Sequence, residues 1–194
     1  MARPREYEEE KVLDAIMNVF WHRGFEATSA QDLVDATGLT RSSLYNAFVN
    51  KQGLFEQALI HYKLRTKQQA AMLDDANDKK EAIYALLLSV IDSDLNNMPR
   101  RGCLITNTAI ERANNDERIT LLVRQNFRLL EEAIARNIQI AQASGAIAST
   151  STAKVLAACV LNMIQGLRVL AKTTPNSNRK VLTDIIDTTL SALL

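Results

Sequence analysis

An all-α fold of about nine helices is predicted by three observations. The 194 residues contain only 6 Gly and 3 Pro, too few breakers for a turn-rich β chain. Apolar residues recur every three or four positions rather than every two. Polar cap residues and glycines punctuate the apolar stretches at helix-length intervals. Apolar content of 47% and charged content of 23% are ordinary for a globular chain and argue against disorder.

The elements follow in order. Helix 1 is predicted from about Tyr7 to Arg23, with Val12, Ile16 and Phe20 on one stripe. Gly24 stands where a left-handed C-terminal cap is wanted, and Phe25 is placed to fold back on Phe20 in a Schellman ending. Thr28 to Gln31 has the Thr-x-x-Gln form of a capping box and opens helix 2, which ends near Thr37 before a turn at Gly38. Thr40 caps a short helix 3 with Leu44 and Phe48 inward, and Asn50 caps a long helix 4. Asp78 begins helix 5, and Met98 to Gly102 break the pattern. A helix from about Cys103 to Arg112 follows. A long helix then starts at Asp116, carries Ile119, Val123, Phe127, Leu130, Ile134 and Ile138 on one face, and ends at Gly145. The last two helices span about Thr152 to Lys172 and Asn176 to Leu193.

The polar stretch from Asp74 to Lys80 is the best boundary, dividing a head at 5–65 from a C-terminal domain at 78–194. Eight of the ten aromatic residues lie in the first 62 positions. A small unit has little core, and large rings help fill it. No apolar stretch approaches the roughly 20 residues of a bilayer span, and the start lacks the apolar segment of a secretory signal. A cytoplasmic location without membrane contact is the expectation. Cys103 and Cys159 lack metal-ligand spacing and are expected as thiols.

Net charge is +1. The first 67 residues hold nine bases and nine acids. A nucleic-acid site there requires that charge be sorted onto one face. Helix 2, the Gly38 turn and helix 3 have the layout of a helix-turn-helix at about 29–48, whose second helix is free to enter a major groove about 12 Å wide. The positions of helix 3 not needed for packing are Arg41, Ser42, Ser43, Tyr45 and Asn46, all polar, basic or hydroxylic.

The stretch from about 7 to 60 resembles the TetR/AcrR transcriptional regulators. The likeness lies in Gly24-Phe25, Thr28-Ser29, Asp32-Leu33-Val34, Ala36, Gly38-Leu39-Thr40, Leu44-Tyr45, Phe48, Lys51 and Leu54. The resemblance implies phosphate anchoring by Thr28 and Ser29 at the start of helix 2, where free N–H groups favour an anion. It implies base and backbone contacts from Thr40, Arg41, Ser42 and Ser43, and backbone contacts from Tyr45 and Lys51; Asn46 is a DNA-binding candidate from its polar place on helix 3. Arg41 is the candidate for reading guanine. Ala47 departs from the family's usual His or Tyr and receives no role.

Helices 8 and 9 are apolar over more than one face, which suggests subunit contact. The resemblance implies a homodimer formed by these helices, with Val155, Cys159, Met163, Gly166 and Leu167 on one and Leu182, Ile185, Ile186 and Leu190 on the other. Cys159 itself reads as a packing residue. A two-fold dimer matches a palindromic double-stranded operator with half-sites about 34–36 Å apart or a multiple. The middle helices would then enclose a small-molecule effector, with an aliphatic lining. Repression is the expected mode. Cys103 follows Arg100 and Arg101 at a helix start, a setting that favours thiolate; sensing of an oxidant or electrophile stands beside simple packing as its role. No P-loop, dinucleotide fingerprint, nucleophile elbow or zinc spacing is present, so no catalytic residue, metal or cofactor is expected. The competing class is a helical ligand-binding or protein-interaction module that has lost DNA binding.

Overall fold

A computed structural model describes residues 3–96 and 99–194, with side chains from residue 9 onward except that of residue 177. The side chain of Tyr7 and the position of Met98 lie outside the described residues. Among the described residues there are nine α-helices, two short 3-10 turns and no strand. They are α1 (Arg3–Arg23), α2 (Ala30–Thr37), α3 (Arg41–Phe48), α4 (Lys51–Asp75), α5 (Lys79–Asn96), α6 (Leu104–Arg112), α7 (Glu117–Ala143), α8 (Ala153–Thr173) and α9 (Arg179–Leu193).

The helix starts follow from short polar side chains that satisfy otherwise orphaned N–H groups. Thr40 Oγ1 accepts from the N–H of Ser43, Asn50 Oδ1 from Gly53, Asp78 Oδ1 from Glu81, and Asp116 Oδ1 from Ile119. Thr152 caps α8 through Val155. The capping box of α2 is shifted by one residue from the sequence expectation. Ser29, not Thr28, is the cap, and its partner is Asp32 rather than Gln31. Both registers offer a hydroxyl followed three residues later by a polar side chain, so the pattern alone does not choose between them.

The described chain forms two compact units. The first is Met1–Arg65 with Leu104–Arg124, and the second is Thr66–Cys103 with Gln125–Leu194. Unit 1 therefore takes in α6 and the start of α7, from far beyond position 65. The tie is polar: Gln52 donates to Asp116 at 2.7 Å, and Arg112 pairs with Glu26 at 2.6 Å. Its core is aromatic. Phe20 and Phe55 are buried and meet edge to face at 4.9 Å, and Phe25 lies 5.0 Å from Phe55. Unit 2 is aliphatic, with α5 against α8 and α9, and Leu87, Ile91, Ile138, Val160, Ile164 and Ile186 at its centre.

Helix α8 is long and apolar enough to cross a membrane by length and composition. That corrects the expectation that no stretch comes near span length: the apolar residues of α8 are many enough to keep its mean hydropathy high despite Asn162, Gln165 and Arg168 within the run. One third of its most apolar window is buried within the subunit (33%), on the face made by Leu156, Val160, Ile164 and Leu167.

Candidate nucleic-acid interface

Helix α1 ends at Gly24, whose φ of 78° is left-handed. The Gly24 N–H donates to Phe20 O at 2.8 Å. This is the simpler left-handed cap rather than the Schellman form, because the next N–H, of Phe25, goes to the carboxylate of Glu111 instead. Phe25 nonetheless stacks on Phe20, with ring centroids 6.1 Å apart.

Two turns later the chain enters α2. Ser29 Oγ accepts from the Asp32 N–H at 3.1 Å, and the Asp32 carboxylate accepts from the Ser29 N–H at 2.8 Å. The Ser29 hydroxyl, which donates to Asp32 Oδ2 at 2.7 Å, and then the Ser29 N–H hold the Asp32 carboxyl below its usual range, with Arg23 and Lys51 adding to the effect. The Ala30 and Gln31 N–H groups head the helix, where no carbonyl within the helix can reach them. Thr28 does not present its hydroxyl outward. It is buried, and its Oγ1 donates to Gly24 O at 2.6 Å. The expected phosphate contact from its side chain is therefore corrected: the hydroxyl closes the turn before α2.

In α3 only Leu44 is fully buried. Arg41, Ser42, Ser43 and Asn46 are exposed, and Ser42 and Asn46 lie on the side away from Leu44. Tyr45 is half-buried, with the Arg41 guanidinium 5.6 Å from its ring centroid. Thr40 Oγ1 caps the helix and lies 2.9 Å from Ser43 Oγ. Helix α3 then ends on a γ-turn. Val49 has φ 68° and ψ −56°, and the Asn50 N–H donates to Phe48 O at 2.8 Å. A β-branched residue in this region is strained, yet Val49 is 80% exposed and gains no packing there. The turn brings Phe48 O against α4 so closely that a Cβ on Gly53 would sit 2.2 Å from it.

Lys51 opens α4. Its Nζ donates to Glu26 O at 3.3 Å and lies 4.6 Å from the centre of the Phe25 ring. Ser29, Thr40, Arg41, Ser42, Ser43, Tyr45, Asn46 and Lys51 thus all belong to unit 1 and stand on α3, at the N-caps of α2 and α3, or, for Lys51, at the first residue of α4. Glu111 and Arg112 at the end of α6 were not anticipated. They reach residues 24–26 across 85 or more positions, and an acid and a base at a helix end carry no local signal of such a contact.

Residues 12–58 match the family model of bacterial regulatory proteins of the tetR family, and residues 79–181 match that of the tetracyclin repressor-like C-terminal domain. The HTH-type transcriptional regulator YezE of Bacillus subtilis is 31% identical over 196 residues, covering all of both chains. The chain belongs to the TetR family. This TetR-family regulator is also 27% identical to the HTH-type transcriptional repressor ComR of Escherichia coli, across 97% of its own length and 90% of ComR. Among solved structures, a cysteine mutant of the TetR family regulator CifR, complexed with 26 bp operator DNA, is 29% identical with a TM-score of 0.78 over 95% of this chain and 96% of that one. A TetR family regulator from Agrobacterium tumefaciens shares the fold at TM-score 0.83, over 98% of this chain and 99% of that one, with 19% identity.

The C-terminal residues of the TetR-family chain fall into two sets. Leu167, Leu182, Ile186 and Leu190 are buried in their own subunit, which corrects their expected place in a subunit contact: their faces of α8 and α9 are used up by the core. Val155, Cys159 and Gly166 are exposed, with Met163 and Ile185 half-buried. Cys159 is accordingly not a packing residue within the subunit. Cys103 is buried at 7% exposure, directly before the first residue of α6. The Arg100 guanidinium is committed elsewhere, to the carbonyls of Ala171 and Thr174 and to Asn176 Oδ1. There it caps the end of α8.

Proposed function

We propose that this TetR-family regulator is a repressor that binds a palindromic operator as a homodimer and is released by an effector held in its C-terminal unit. The observation that carries the reading is the surface of α3. Leu44 anchors the helix, Thr40 caps it, and Arg41, Ser42, Ser43 and Asn46 are left exposed. Side chains of these types reach base edges and phosphates from a helix in the major groove. Arg41 reads guanine, and Tyr45, Thr40 and Lys51 contact the backbone. At the start of α2 the anchor is Ser29 with the Ala30 and Gln31 N–H groups, since an anion is favoured at a helix N-terminus. The operator-bound CifR chain and the repressor ComR support the same reading.

The dimer face is the outward stripe of α8, Val155, Cys159, Met163 and Gly166, joined by Ile185 of α9. These positions recur at helical spacing, and Gly166, with nothing within 4 Å of where its Cβ would be, admits a close approach. The effector meets an aliphatic interior with few polar handles. Asp94 Oδ2 and Asn126 Nδ2 are buried without a hydrogen-bond partner, and a ligand that reached either would gain a hydrogen bond there. An oxidant or electrophile acting on Cys103 remains a second route of release.

The test is a mobility shift of the purified protein on its own upstream DNA across a salt series, beside an Arg41→Ala, Tyr45→Ala double variant. Specific, salt-sensitive binding that the double variant loses supports the proposal. Equal binding by the variant, or no specific shift, removes α3 as the reading element and leaves the ligand-binding module. Loss of oxidant response in Cys103→Ser would assign the second route; an unchanged response would remove it.

A further inference from the structure

Resting on the reading of unit 1 as a DNA-binding head, we infer that Glu111 is a positioning residue for operator binding. Its carboxylate accepts from two successive N–H groups, Phe25 at 3.0 Å and Glu26 at 2.8 Å. Consecutive N–H groups beside a left-handed residue form a concavity suited to an anion, and bonds to a carboxylate are stronger than neutral ones. Gly24 makes the approach possible, since a Cβ there would lie 3.0 and 3.1 Å from the two carboxylate oxygens. The α1 ending leaves the Phe25 N–H without a helical acceptor, so Glu111 supplies what the local chain does not.

The same turn carries the backbone-contacting groups. Glu26 O accepts from Lys51 Nζ, and the Phe25 ring lies against both Lys51 and the Arg112 guanidinium, at 4.6 and 4.4 Å. Gly24 O accepts from Thr28, the residue before the Ser29 cap. Lys51 and Ser29 are both referenced to residues 24–26, and Glu111 fixes residues 24–26. Removing the carboxylate leaves every proposed DNA-contacting side chain in place but loosens the frame that aims two of them.

The experiment compares wild type, Glu111→Ala and Glu111→Gln by fluorescence anisotropy on an operator duplex from the upstream DNA, from about 50 to 200 mM salt. A misaimed phosphate contact lowers the log-log salt slope by about 0.9, so one Lys51 in each head of a dimer lowers it by about 2. The expected result for Glu111→Ala is an affinity loss on the order of tenfold with that shallower slope. Glu111→Gln, which keeps one acceptor oxygen, falls between. Wild-type affinity and slope in Glu111→Ala would overturn the inference, as would lower affinity at the wild-type slope, which reports fewer active molecules rather than misplaced contacts. If Glu111→Ala lowers the urea midpoint, the slope is read from Glu111→Gln by the same criterion. Failure of wild type itself to bind would instead sink the underlying reading of the head.

Discussion

The two units of the molecule solve the same packing problem with different materials. Unit 1 is held by a few large rings, Phe20, Phe25 and Phe55 in mutual contact, and by polar caps whose partners lie three residues away. Unit 2 is held by many aliphatic side chains, and it buries Asp94 Oδ2, Asn126 Nδ2 and Asn137 Oδ1 without a partner, where unit 1 has Arg112 Nε. A unit that must aim exposed side chains at a rigid duplex benefits from caps that set its backbone. The effector proposed for unit 2 would meet those unsatisfied groups there. The contrast also appears in two carboxylates. Asp32 is held low by the Ser29 hydrogen bonds, whereas burial pushes Asp94 up against the pull of Arg168 and Lys172.

The largest test of the contrast is Phe55→Ala. Truncating this ring should cost about 3–5 kcal/mol, concentrated in unit 1. Hydrogen exchange should then rise across α1 to α3 while α5, α8 and α9 keep their protection. Equal loosening of both units would break the distinction between them. Next in size is Val49→Gly. Relief of roughly 1–3 kcal/mol of backbone strain outweighs the ~0.5–1 kcal/mol entropic cost of glycine, so the urea midpoint should rise; a fall would show that the γ-turn is not strained.

Ser29→Ala should cost about 1 kcal/mol through the lost cap, measured by urea unfolding, while Thr28→Ala should act through the turn at Gly24 and leave the α2 cap intact. Indistinguishable exchange at the Asp32 amide in the two variants would contradict the assigned register. That register shows where the sequence is legible and where it is not. Caps, the Gly24 and Gly38 turns and the apolar stripe of α7 are local signals, and most helix ends were readable from them to within a residue or two; α1 starts four residues before the expected Tyr7, and a 3-10 turn at Asn176–Asn178 delays α9 by three. The contact of Glu111 with Phe25 spans 86 positions and involves a common surface residue, so nothing local announces it. On α8 and α9 both faces are apolar. Periodicity therefore could not tell Leu167, Leu182, Ile186 and Leu190, which face the core, from Val155, Cys159, Met163 and Gly166, which face away.

The smallest expected effect is in the pH dependence. Asp32 has a lowered folded-state pKa, so its contribution is present above the unfolded value near 3.9 and fades as pH falls through the folded value. Asp94 has a raised one, so its contribution is fullest below that unfolded value and is lost as pH rises through the folded value. Urea midpoints of wild type against Asp32→Asn should diverge with rising pH. The advantage of wild type over Asp94→Asn should instead shrink as pH rises. The same trend in both pairs would contradict the opposed environments.

The most direct measurement of the central claim is a footprint of the protein on its upstream DNA, combined with the mass of the complex in solution. Two protected half-sites related by a two-fold axis are expected, spaced by one helical turn or a multiple (about 34–36 Å per turn), with an even number of chains bound and protection lost on Arg41→Ala, Tyr45→Ala. A single unsymmetrical footprint bound by one chain, or protection that survives the double variant, would contradict it.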